Sequence, residues 1–332
     1  MDIIKTLNVL NDAFGPSGRE AGIREVIADL AKPFCDEMRT DVMGNLICHK
    51  KGEGKRIMFA AHMDSLGLMV THLEKEGQLR FDRIGWLPPT QLIGTPVRFE
   101  NGVKGVVYCD EIEDEGKAKL SDMFIDIGAT SAEEAATHVK PGDMAVYDTR
   151  ISVGMNETII APYMDNRSGC AVLLMAMEML KKSPNDLYFV FTVQEEVGLR
   201  GAKTASFGID PEIGIAVDVT GDAGIPKNKH HCSSTVGKGA AIKVKDGSVI
   251  SNPELNKLLV ELAEKNKIAY QMDILAGGGT DAGAMSLNME GVAASGISVP
   301  CRFTHCPQEM VSGKDMENCA KLCAKLAEHK FK

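Results

Sequence analysis

The chain of 332 residues carries a formal net charge of −9 and is 44% hydrophobic, enough for a large buried core in one domain or two. It has no basic run to match a phosphate backbone or an anionic lipid surface, so the composition argues against nucleic-acid and membrane-surface partners. No stretch approaches the roughly 18 apolar residues of a membrane span. Its nine cysteines include no C-x-x-C pair and suggest neither a disulfide framework nor a zinc ribbon, so the cytoplasm is the expected compartment.

Ile3, Ile4, Leu7 and Leu10 share one face of a first helix. "GPSGRE" then turns the chain, and Ser17 three residues ahead of Glu20 reads as a capping box opening a second helix through Ile23, Val26, Ile27 and Leu30. "MRTDVMGNLICHK" reads as a hairpin, and the apolar run 57–61 as a buried strand with His62 at its end. From about residue 67 to 158 the texture changes to short alternating segments between Gly, Pro and Asp turns, with one helix capped by Ser131 and Glu134. A mostly β domain over 67–158, inserted into an α/β domain formed by 1–66 and 159–332, accounts for that change. Beyond it the pattern predicts a helix over 166–182, strands over 187–193 and 213–219, and a helix over 253–267 with Pro253 at its first position after Asn252. A short helix from Thr280, a strand in "GVAASGISVP" and a closing helix over 314–329 complete the set. Such alternation predicts a largely parallel sheet covered on both faces.

Polar residues gather where these strands end or the next helices begin: His62 and Asp64 in "AAHMDS", Asp165 in "MDNRSG", Glu195 and Glu196 in "QEEVG", Asp218 in "VDV", and His305 in "THCPQEM". In an open α/β sheet the ligand site lies outside the carboxyl ends of the strands, so these distant residues converge there. So many acids beside two imidazoles repel one another unless divalent cations intervene. Nitrogen and oxygen donors without thiolate suit Zn, Co or Mn, and two ions about 3.5–4 Å apart need a carboxylate in common. Period-two alternation points His62 and Asp64 the same way, letting Asp64 accept the other ring N–H of His62. Alternation also sends Glu195 and Glu196 to opposite faces, which gives them different tasks.

Taken singly, each of these residues has a blander explanation: Asp165 as a helix N-cap, Asp218 as a turn former, the Glu-Glu pair as a solvated loop, His62 as a structural histidine. Their joint position at strand ends weighs against those explanations. His230 and His231 lack ligand spacing and are left unassigned. Cys319 and Cys323, one turn apart, read as buried thiols, and Met175, Met177 and Met179 as core.

The five quoted motifs, with "QEEVG" running on as "QEEVGLRGA", together with "GGGTDA", and with "IGWLPPTQLIGTPV" and "VKPGDMAVY" between them, make the chain resemble the cytosolic dinuclear metallo-aminopeptidases that form tetrahedral dodecamers. By that resemblance His62 binds one ion, Asp165 bridges both and Asp218 completes the first, while Glu196 and His305 bind the second. Glu195 is then the general base and Asp64 supports His62. The resemblance further implies a phosphorylase/peptidase-like αβα sandwich with an inserted, mostly β dimerisation domain. It implies two divalent ions per chain (Zn or Co, with Mn as a third choice), short peptide substrates and a homododecamer built from dimers. The chain departs from the family pattern at "TGDAGIP" after the VDV strand and at Cys306, next to His305. The competing functions are a related metal-dependent carboxypeptidase or deacylase and, further off, a glycoside hydrolase, for which the lone Trp86 offers no sugar platform.

Overall fold

The computed structural model describes residues 1–226 and 228–331. Helices α1 (Ile3–Asp12) and α2 (Ala21–Ala31) lead into the hairpin of β1 (Glu37–Thr40) and β2 (Leu46–Lys50), then into the central strand β3 (Arg56–His62). Leu7 and Leu10 are fully buried, as the apolar spacing of α1 requires. The entry to α2 differs from expectation. Glu20, not Ser17, is its N-cap, without a side-chain capping bond. The Ser17 hydroxyl instead donates to the buried Asp64 carboxylate at 2.6 Å, a charge-assisted bond that fixes where its side chain points.

The chain next forms β4 (Gly67–Leu73), β5 (Leu79–Ile84), β6 (Pro96–Phe99), β7 (Lys104–Cys109), β8 (Met123–Asp126), the short helix α3 (Ala132–Ala136) and β9 (Met144–Tyr147). These six strands close into an antiparallel barrel in the order β4-β5-β8-β7-β6-β9, around Leu68, Leu79, Val97, Val107 and Ile125. Closure removes exposed strand edges. The barrel accounts for the change of texture at residue 67. Its last strand ends at Tyr147, however, and the next two, β10 (Ser152–Val153) and β11 (Thr158–Ala161), pair with each other in the large sheet rather than in the barrel.

The rest of the chain supplies α4 (Met164–Met179), β12 (Asp186–Thr192), α5 (Arg200–Ile209), β13 (Ile213–Thr220) and β14 (Ala240–Lys245). Then come α6 (Pro253–Asn266), β15 (Tyr270–Ile274), α7 (Asp281–Ser286), β16 (Ala293–Arg302), β17 (Glu309–Ser312) and α8 (Gly313–Ala327). The large sheet runs β1-β2-β12-β3-β13-β16-β17-β11-β10, with β14 on β16 and β15 on β14. It is parallel where β12, β3, β13 and β16 meet and again between β14 and β15, and antiparallel at its other pairings, a more mixed sheet than the alternation of elements predicts. A short connection such as that from β16 to β17 can return only antiparallel, since a parallel return needs a crossover.

Helices α1, α2, α4, α6 and α8 pack on one face through Ile27, Leu173, Leu259 and Leu322, and α5 and α7 cover the other through Ala205, Ile209, Ala282 and Met285. The result is an αβα sandwich. Met175 and Met177 lie in its core, but Met179, at the end of α4, is 38% exposed and is not a core residue. Cys319 and Cys323 are buried free thiols. No helix among the described residues is long and apolar enough to cross a membrane.

One close approach positions the start of α4. A methyl group on Gly169 would sit 2.5 Å from the Val217 carbonyl oxygen on β13, so the helix backbone rests directly on the strand. Gly169→Ala should therefore overpack this contact and cost about 1–3 kcal/mol. The expected reading is a lower urea midpoint at unchanged slope, and an unaltered midpoint would show that the two elements separate freely.

Candidate metal centre

His62 is the last residue of β3, Asp218 lies near the end of β13, and Asp165 sits where α4 has not yet become helical. Asn166 ties that irregular start down: its amide donates to the Val217 carbonyl at 2.9 Å and its oxygen accepts from the Gly169 N–H at 2.9 Å. Just upstream, Tyr163 stacks on Tyr147 of the barrel at 5.3 Å between ring centroids, and its hydroxyl meets the Tyr147 backbone N–H. The Asp165 carboxylate is thereby held between two imidazoles, with Oδ1 3.0 Å from His62 Nε2 and Oδ2 3.2 Å from His305 Nε2. Asp218 Oδ1 lies 3.6 Å from His62 Nε2, and Glu196 Oε2 lies 3.6 Å from His305 Nε2. Two groups of potential ligand atoms result, His62–Asp165–Asp218 and Asp165–Glu196–His305, each within 4.8 Å throughout and sharing Asp165.

This donor set fits divalent cations. Glu196 Oε1 is buried without a hydrogen-bond partner, and the two imidazoles cannot by themselves neutralise the surrounding carboxylates. The Cys306 thiol belongs to neither group and faces the Gln91 side-chain oxygen, so the donors are nitrogen and oxygen only.

Asp64 and the two glutamates converge as expected, by a different local geometry. β3 ends at His62, so strand alternation does not reach Asp64. His62 Nδ1 lies 3.1 Å from the Asp64 backbone oxygen and 3.5 Å from its carboxylate. That carboxylate instead accepts from the backbone N–H groups of Glu195 at 3.0 Å and Glu196 at 3.3 Å, besides the Ser17 hydroxyl. β12 likewise ends at Thr192, and both glutamates lie on the turn that follows Gln194, whose φ is 53°. Their carboxylates enter one crevice rather than opposite faces of a strand. What separates them is their neighbours: Glu195 Oε2 is 3.8 Å from His62 Nε2, while Glu196 adjoins His305.

Two buried acids were missed. Glu309 on β17 accepts from the Asp165 N–H at 2.8 Å and the His305 N–H at 2.6 Å, bridging the backbones of two potential ligands. The available signal was an acid opening an otherwise apolar strand in the quoted "PQEM". Asp281, inside "GGGTDA", accepts from the Thr192 hydroxyl at 2.5 Å.

Burial pushes Glu195 and Glu196 well above the usual carboxylate range, pushes Glu309 up to about 8, and pushes Asp281 up to about 7. Burial works against a charged His62, but the charges of Glu195 and Asp218 prevail and raise it. Burial also favours a neutral Asp165, yet hydrogen bonds from His305 and His62 outweigh it and hold that carboxyl low. Raised native values mean that the folded metal-free chain binds more protons than the unfolded one, so its stability falls as pH rises from the ordinary carboxylate range toward about 8. Asp165, shifted the other way, acts only below that window. The melting temperature of metal-free protein should drop between pH 5 and 8. Adding Zn at pH 7 should release protons, measured by calorimetry in buffers of different ionisation enthalpy, and uptake without release would contradict this charge balance.

The family model described as M42 glutamyl aminopeptidase matches residues 44–322. A putative aminopeptidase of Acetivibrio thermocellus is 48% identical over 97% of this chain and 97% of its own. The lysyl aminopeptidase of Pyrococcus furiosus is 39% identical, covering 95% of this chain and 93% of its own. Among solved structures, the Pyrococcus horikoshii TET1 peptidase, described as assembling into a tetrahedron or a large octahedral shell, superposes with a TM-score of 0.90 at 34% identity over 98% of this chain and 99% of its own. On the family match and these near end-to-end identities, the chain belongs to the M42 glutamyl aminopeptidase family and is a peptidase hydrolase.

Proposed function

We propose that this enzyme removes the N-terminal residue of short peptides at a centre for two divalent ions. The observation that carries the reading is the Asp165 carboxylate, with one oxygen toward His62 and the other toward His305. His62, Asp165 and Asp218 hold one ion, and Asp165, Glu196 and His305 hold the other. When bound, the ions supply Lewis acidity to the scissile carbonyl and to the attacking water. Glu195, near both groups but in neither, is the general base: its carboxylate takes a proton from the water and passes it to the departing amine. Burial of Glu195 raises its proton affinity toward that task. Asp64 acts through the backbone, fixing the turn that aims both glutamates.

The all-nitrogen-and-oxygen ligand set favours Zn or Co, with Mn as the third choice. The likeness to a shell-forming relative supports a homo-oligomer, which we take to be a dodecamer built from dimers. The absence of a basic run and the cysteine pattern support a cytoplasmic enzyme without nucleic-acid or membrane partners.

Glu195→Gln should keep both ions by elemental analysis while turnover of amino-acid nitroanilides falls by about 10²–10⁴-fold. A variant that stays near wild-type speed would remove Glu195 from the mechanism. Light scattering should give twelve times the chain mass, and a monomer or isolated dimer at working concentration would end the dodecamer assignment.

A further inference from the structure

The donor groups line a cavity of about 400 Å³ that they share with a set of apolar and small residues. Leu199, Val219 and Leu275 line it, together with Gly221, Gly278 and Gly279, which present no side chains. Leu275 is wedged between two of these glycines: a methyl group on either Gly221 or Gly278 would lie 3.4 Å from one of its terminal carbons. Its backbone is held by the Leu275 N–H to the Lys245 carbonyl at 3.0 Å and the Ala276 N–H to the His231 carbonyl at 2.8 Å. Trp86, 59% exposed, also lines the cavity, its ring tilted against that of His305 at 5.8 Å between centroids.

Charge is as informative as shape. Among the described residues no lysine or arginine lines the cavity, and its acids are Asp165, Glu195, Glu196 and Asp218, all engaged at the metal centre. Lys243 does not line the cavity and is fully buried and paired with Asp273, and Arg302, also outside the lining, pairs through Nε with Asp222. Of the hydroxyls lining the cavity, that of Thr220 is spent on Asp273 at 3.0 Å and that of Thr280 on Asp246 at 3.4 Å. Among the described residues lining the cavity, a glutamate side chain would meet no cation and a lysine side chain no carboxylate outside the metal centre. Either would be desolvated without a partner.

We infer that the Leu275 wall receives the side chain of the substrate's first residue and selects an uncharged aliphatic one of leucine or methionine size, with the rest of the peptide leaving past Trp86. This selectivity rests on the aminopeptidase reading above and sets the chain apart from both a glutamyl and a lysyl preference. A pocket of this kind separates side chains by about 10–200-fold per fitting group.

The test is a panel of leucyl, methionyl, glutamyl and lysyl nitroanilides with Zn- or Co-loaded protein, beside calorimetric binding of the free amino acids. Leucyl and methionyl substrates should exceed the charged ones at least about tenfold in kcat/KM, and leucine should bind more tightly than glutamate or lysine. Leu275→Arg should raise the glutamyl-to-leucyl ratio by about tenfold or more. Should that variant not fold, Leu275→Ala should lower kcat/KM for leucine with elemental metal content unchanged. A glutamyl or lysyl substrate cleaved fastest by the wild type would overturn the selectivity and spare the aminopeptidase reading. Failure to cleave any aminoacyl substrate would overturn both.

Discussion

The constraint that organises this molecule is the gathering of more carboxylates than cations at the carboxyl edge of the sheet. Asp165 lies at the middle of it, flanked by His62 and His305. Buried acids at this density are tolerable only when each oxygen has a donor, a proton or an ion. Side-chain-to-backbone hydrogen bonds fix the surrounding architecture. Asn166 pins the irregular start of α4, Glu309 fastens the backbones of Asp165 and His305, and Asp64 draws in the glutamate turn. Glu196 Oε1, on one of the carboxylates that would hold an ion, is left without a donor.

The sequence discloses the potential ligands more readily than their supports. His62, Asp165, Glu196, Asp218 and His305 are legible because each ends an apolar run or opens a helix, and a charge there is costly without a purpose. Glu309 acts as an acceptor for two backbone N–H groups, one of them 144 residues away, and no local pattern announces that. Ser17 shows the converse. The spacing to Glu20 is a valid capping pattern, yet the hydroxyl finds Asp64 instead. Strand alternation assigns tasks to Asp64 and the two glutamates, whereas both strands stop before reaching them.

The fold divides similarly. Long apolar runs announced β3, β12, β13 and β16, and the change of texture announced the barrel. β14 and β15 escaped notice because Lys243 and Asp273 interrupt their apolar character, and only pairing across the two strands makes those charges compatible with complete burial. Helix α5, "RGAKTASFGI", is rich in small and polar residues with weak helical preference, and its packing on the sheet rather than its composition makes it a helix.

The stacked pair Tyr147 and Tyr163 joins the two halves of the molecule in an unusually direct way. Tyr163 belongs by packing to the barrel core, yet only Met164 separates it from the shared carboxylate. On the other side, the chain enters the barrel five residues after His62. Whatever grips the barrel therefore holds both handles of the reactive crevice, and its outer surface is mechanically answerable for the spacing of atoms it never touches.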